Sequence, residues 1–320
     1  MTHLLLVLAL LQPPAVRCVA LAPHFEGEPT DGQLAEMINE IKALGANLLL
    51  MVVQWGQQDV EAVAIRPYRW GTNDRQVKTA LAHARAQGLD TLVFPIVHLA
   101  ELGPGRWRGT LAPRDRAAWW ASYTHFILHY AQLAAETQAG WFSVGSELGR
   151  QEAEEAHWRG LIAAVRGVFP GRLTYSANWD HFTHVGFWDA LDVVGMNAYH
   201  PIATREGASL AELTAGWTAV RSSLLLWHGF LGRPLLFTEV GYPSVVGGAR
   251  RPYDFGGTAP ADPEEQARAW GAFAAVWRDQ PQVAGGCVWL WTGRGGLADT
   301  GYMPRGKPAE GIIRGWFRGE

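Results

Sequence analysis

Eight times along the chain a short apolar run is followed by an amphipathic stretch. No other feature of the sequence restricts the fold as strongly. The runs lie at 18–23, 47–53, 91–97, 141–145, 173–177, 193–198, 234–238 and 285–290. Helical stretches follow at 32–44, 73–87, 114–137, 152–168, 209–231, 263–280 and 308–317, and the fifth run leads only into a helical turn at 187–191. Continuous apolar runs such as Leu48-Leu49-Leu50-Met51-Val52-Val53 suit a parallel sheet covered on both faces. Gly45, Gly88, Gly171 and Gly232 each sit between a helical stretch and the next run, where helices commonly close on a left-handed residue. No linker or charge run divides the chain. The economical reading is one α/β unit, a (β/α)8 TIM barrel over residues 18–320. An open doubly wound sheet is the alternative. No G-x-G-x-x-G follows the first run, which counts against a dinucleotide-binding version of it.

Composition narrows the partners. The chain has 320 residues, 48% of them hydrophobic, and a net charge of −3. That balance gives no basic footprint for nucleic acid. No apolar run reaches the ~18 residues that would predict a membrane span. Cys18 and Cys287 are too few for a zinc cluster or a disulfide framework. Residues 4–11 form an apolar run broken by Gln12, Pro13 and Pro14. Residues 1–17 therefore read as a short secretory signal or an apolar tail, with export to the periplasm or medium expected if the signal is used and a cytoplasmic protein otherwise. The sequence does not fix an oligomeric state.

In such a barrel the chemistry sits at the carboxyl ends of the strands. The fourth run ends Gly145-Ser146-Glu147 and the seventh ends Thr238-Glu239-Val240. Each puts a lone carboxylate just beyond a strand, and the two lie close to three repeat units apart. Strict alternation would place Trp141, Ser143, Gly145 and Glu147 on one face, and Leu235, Phe237 and Glu239 on another. Two facing carboxylates are what glycosidic cleavage needs: one protonates the leaving oxygen while the other attacks or activates water. Alone, either glutamate is as readily a helix cap or half of a salt bridge. Other strand ends carry Trp55, His98, Asn178, Trp179, Asn197, Tyr199, Trp289 and Trp291. Indole faces stack on sugar rings, and amides and phenols bond sugar hydroxyls. The bland reading of any one tryptophan is core filling, and Trp119, Trp120, Trp158, Trp217, Trp270 and Trp277 lie within helical stretches and read that way.

With these residues in place, the chain resembles glycoside hydrolase family 113, retaining β-mannanase-like barrels. The resemblance rests on Trp107-Arg108-Gly109, Trp120-Ala121-Ser122-Tyr123, Gly145-Ser146-Glu147-Leu148, Tyr175-Ser176-Ala177-Asn178-Trp179, Phe187-Trp188-Asp189, Phe237-Thr238-Glu239-Val240-Gly241-Tyr242 and Gly306-Lys307-Pro308-Ala309-Glu310. It implies Glu147 as acid/base, Glu239 as nucleophile, Tyr199 as a hydrogen-bond donor to the nucleophile and Trp291 as a stacking surface under the sugar. It implies no cofactor and an oligo- or polysaccharide substrate. Ser146 stands where the wider clan usually has an asparagine that binds the sugar 2-hydroxyl, so that contact is expected from Asn178 or Asn197.

Two other readings use the same residues. A non-catalytic carbohydrate-binding barrel would keep the aromatic mouth and use the glutamates only for hydroxyl bonding. A metal-dependent barrel hydrolase would draw ligands from His98, Asp180, His181, His184 and His200, although no H-x-H ends the first run. Arg106, Arg108 and His24 are candidate subsite residues or plain loop residues. The loop around Arg250, Arg251, Pro252 and Tyr253 reads as solvated, with a place at the cleft border as the second reading.

Overall fold

The computed structural model describes residues 16–22, 29–68, 71–101, 103–254, 258–292 and 295–320. The apolar run 4–11 and His24 lie outside these. The strands are β1 (Val16–Leu21), β2 (Leu48–Gln57), β3 (Arg66–Pro67), β4 (Asp90–Leu99), β5 (Trp141–Ser146), β6 (Arg172–Ala177), β7 (Val193–Asn197), β8 (Leu235–Val240) and β9 (Val283–Trp291). The helices are α1 (Asp31–Leu44), α2 (Asp74–Ala86), α3 (Arg116–Glu136), α4 (Glu155–Arg166), α5 (Leu210–His228), α6 (Pro263–Trp277) and α7 (Pro308–Arg318). Eight parallel strands run in the order β1-β9-β8-β7-β6-β5-β4-β2, and β1 pairs with β2 to close the ring. The expected (β/α)8 barrel is the observed fold. The fifth unit does use a 3-10 turn, Trp188–Ala190, in place of a helix. One element escaped the periodicity: β3, two residues long, pairs antiparallel with Trp55 and Gly56 at the end of β2.

The helices start where local chemistry favours them. Thr30, Asn73 and Ser209 form capping boxes with Gln33, Gln76 and Glu212, each pairing a side-chain oxygen with a backbone N–H in both directions. Gly45, Gly88 and Gly232 take the left-handed conformation expected after a helix. Gly171 does not. It is glycine because a Cβ there would come within 2.5 Å of the Gly140 carbonyl oxygen.

Two apolar layers result. Alternate strand residues such as Ala20, Leu50, Phe94, Trp141 and Leu236 fill the barrel interior. The intervening residues, such as Val19, Leu49, Val93, Phe142 and Phe237, pack outward against the helices. Cys18 and Cys287 are in-register partners on β1 and β9, belong to the inner layer, and form a disulfide across the seam between the first and last strands. Two cysteines make no framework, but they make this one buried bond. No helix among the described residues is long and apolar enough to cross a membrane.

Candidate active site

Strict alternation fails at both catalytic candidates, and the failure brings them into the mouth. Between Ser143 and Ser146, β5 takes three steps while β6 takes two from Thr174 to Ser176. This bulge leaves Gly145 facing the outer layer, where a Cβ would meet Tyr123, Trp158 and Tyr175, and lets Ser146 pair with Ser176. Glu147 follows with a left-handed backbone, φ 56°, which is uncommon for a residue carrying a side chain. On β8, register shifts fall between Phe237 and Val240. Leu235 and Phe237 pack outward, whereas Thr238 bonds to Asn197 and Ser176 inside the barrel, and Glu239 reaches the Tyr199 hydroxyl. The shared face expected for Leu235, Phe237 and Glu239 is therefore not observed, nor is the one for Trp141, Ser143, Gly145 and Glu147. Bulges next to a site re-aim side chains in this way.

The two carboxylates meet around one amide. Asn197 Nδ2 donates to Glu147 Oε1 at 2.8 Å, and its carbonyl oxygen accepts from Ser176 and Thr238, which fixes the direction of the amide. Tyr199 donates its O–H to Glu239 Oε2 at 2.7 Å. Arg108 Nη1 lies 3.1 Å from Glu147 Oε2. Both acids are buried but not sealed, with 8% of Glu147 and 4% of Glu239 exposed. Burial, and then the negative charge of Glu147, push the Glu239 carboxyl up to about 8, while Tyr199, Arg108 and Asn197 pull the other way. Raised this far, the Glu239 carboxyl holds its proton through neutral pH, one proton for the two acids.

The other candidates divide. Ser146 Oγ is buried and meets no hydrogen-bonding partner among the described residues. Asn178 Oδ1 accepts from the backbone N–H of Trp179 and so caps its own turn. Of the two amides proposed to replace the missing asparagine, Asn197 is the one bonded to an acid. Trp179 stacks on Tyr253 with ring planes 11° apart and leans on His200, whose imidazole burial pushes down to about 4. His98 stacks on Tyr68 at the end of β4. Trp289 is half-buried against the top of the inner layer.

Trp55 and Trp291 require correction. Trp55 is 7% exposed and packs outward on His125, Phe126, His129 and Tyr130 of α3. Trp291, 2% exposed, belongs to the outer layer and donates its indole N–H to Glu40 of α1. Alternation carries Trp55 outward with Val53, whereas at Trp291 alternation breaks: β9 takes three steps from Val288 to Trp291 while β1 takes two from Val19 to Leu21, so Trp289 faces in and Trp291 faces out. Arg108, by sequence a candidate subsite residue or a plain loop residue, meets Glu147, and Tyr253, in the loop that reads as solvated, stacks on Trp179. Both sit on long connections without periodicity, and only the contacts to Glu147 and Trp179 reveal them. No group of three His, Cys, Asp or Glu side chains converges to hold a metal among the described residues. His181 and His184 instead face one another, rings 5.3 Å apart.

Comparisons with known proteins identify the family and match the fold. The family model described as Glycoside Hydrolase Family 113 matches residues 21–301. No curated protein sequence matches significantly. Among solved structures, a family 113 β-1,4-mannanase in complex form superposes with a TM-score of 0.87 at 21% identity, over 96% of this chain and 99% of that one. The family 113 β-mannanase of Alicyclobacillus acidocaldarius in complex with ManMIm gives 0.85 at 26% identity, over 95% and 97%. A family 5 mannosidase from Rhizomucor miehei shares the fold more distantly, at 0.59 and 12% identity over 96% and 93%. A barrel with paired mouth carboxylates, matched by the family model over most of its length, belongs to glycoside hydrolase family 113 and is a glycoside hydrolase.

Proposed function

We propose that this hydrolase cleaves β-1,4-linked mannan or manno-oligosaccharides with retention of configuration, Glu239 acting as nucleophile and Glu147 as acid/base. One observation carries the reading. Asn197 and Tyr199, two residues apart on one strand end, hand one hydrogen bond to each glutamate. In the first step a Glu239 carboxylate oxygen bonds to the anomeric carbon as the glycosidic C–O bond breaks, and the Glu147 proton goes to the departing oxygen. In the second, water bonds to that carbon, its proton passes to Glu147, and the ester to Glu239 breaks. The reaction needs the proton of the pair on Glu147 when sugar is bound. The Tyr199 donor favours the anion on Glu239, and Ser146 Oγ offers an unengaged polar atom beside the acid. The mannan assignment draws on the substrates named for the similar structures. It is tested on a glycan panel with products identified by mass: release of manno-oligosaccharides supports it, and turnover of other β-glycans alone overturns it.

Loss of the last proton of the pair disables the acid. kcat/KM is therefore expected to fall as pH rises through about 8, from the upward shift on Glu239. A profile flat to pH 10 contradicts this. The tryptophans separate by effect. Trp179→Ala is expected to raise KM several-fold with little loss of stability, because its ring stands with Tyr253 on the rim. Trp55→Ala is expected to cost about 3–5 kcal/mol of stability and leave KM in place, as for a buried aromatic deletion. Kinetics and denaturant melts on the two variants check both. Export is part of the proposal: the disulfide at Cys18 suits an oxidising compartment, and the mature N-terminus, read by mass, tests it.

A further inference from the structure

Behind the acid/base lies a carboxyl that the reaction does not use. Glu152 is 2% exposed, sits in the 3-10 turn Gln151–Ala153, and accepts on Oε1 the O–H of Tyr175 at 2.8 Å. The same Tyr175 oxygen accepts the backbone N–H of Leu148 at 2.9 Å. Leu148 follows Glu147, the residue with the left-handed backbone. On its other side, the Glu147 N–H donates to the Ser176 carbonyl at 2.8 Å, and Tyr123 donates to the Val144 carbonyl at 2.8 Å. Two fully buried tyrosines thus hold the backbone on either side of the segment 145–147. A phenol oxygen can accept from an amide while donating its single proton, provided an acceptor is fixed opposite, and Glu152 is that acceptor.

We propose that Tyr175 and Glu152 form a positioning pair that holds Glu147 in its strained conformation, aimed at the glycosidic oxygen. The inference rests on the reading of Glu147 as acid/base. A left-handed residue with a side chain persists only where its surroundings over-determine it. Without the phenol oxygen the Leu148 N–H loses its acceptor, and the turn is free to relax. Burial pushes the Glu152 carboxyl up to about 7, and the negative charges of Asp180 and Glu147 add to it against the Tyr175 hydrogen bond; His181 Nδ1 stands 3.7 Å away.

The test compares kcat/KM on two aryl β-mannosides, one with a poor leaving group and one with dinitrophenolate, which needs no proton. Tyr175→Phe and Glu152→Leu are each expected to lose about 10²-fold on the first, the scale of a misplaced catalytic group, and little on the second. The double variant is expected to be no worse than either single one. Glu152→Gln, whose amide oxygen can still accept from Tyr175, is expected to recover most of the loss. Equal losses on both substrates, or no loss in Tyr175→Phe, would overturn the proposal. Glu147→Ala in parallel keeps the failures apart: if it lacks the leaving-group dependence, the acid/base reading fails, and if it shows the dependence while Tyr175→Phe does not, only the positioning role fails.

Discussion

Glu239→Ala is expected to lower glycan hydrolysis by roughly four to six orders of magnitude, the scale seen when a nucleophile is taken from a catalytic unit. The fold should survive, because Glu239 stands at a strand end and its removal takes one buried acid away from another. Azide is small enough to enter the space left by the side chain. With an activated β-mannoside it is expected to restore turnover and give the α-mannosyl azide, inverted at the anomeric carbon. The same addition to Glu147→Ala is expected to give the β-azide, formed from the glycosyl–Glu239 ester. Wild-type hydrolysis by Glu239→Ala would remove the nucleophile assignment. Sugar binding without hydrolysis of any glycan by the wild type would favour the non-catalytic barrel.

The second large effect is on stability. The Cys18–Cys287 bond joins strands 269 residues apart in sequence and closes the barrel at its seam. A cross-link over so long a loop removes much of the freedom of the unfolded chain, and losing it is expected to cost about 2–5 kcal/mol. Replacing both cysteines with alanine also removes two sulfurs from the packed inner layer, which adds to the loss. Thermal melts of Cys18→Ala/Cys287→Ala should therefore show a Tm lower by on the order of 5–15 °C, with kcat/KM at 25 °C held, since neither residue reaches the mouth. An unchanged Tm would mean that barrel closure does not depend on this bond.

The barrel was legible because its signals are repetitive and local. Apolar runs recur in all eight units, capping residues and helix-ending glycines in several of them, and the predicted strands and helices differ from the observed ones mainly at their ends. Both glutamates were legible as polar residues just past strands. Their convergence was not: it depends on bulges at 143–146 and 237–240 and on a left-handed backbone at Glu147, none of which leaves a mark in hydropathy. Trp55 and Trp291 were misplaced for the complementary reason. A residue at a strand end faces either the mouth or the helices, and a one-residue difference in register reverses the answer. Tyr199 fell on the correct side of its strand. Arg108, Tyr253 and Glu152 needed long-range contacts to be seen, because each acts through a partner supplied by a different loop or strand.

The central claim is that Glu239 forms a covalent bond to sugar while Glu147 manages the proton. Incubation with a 2-deoxy-2-fluoro-mannosyl fluoride slows release of the intermediate more than its formation. Peptide mass mapping of the trapped enzyme should find one fluorosugar, attached to Glu239. A label on another residue, or no label together with product of inverted configuration by NMR, would contradict it.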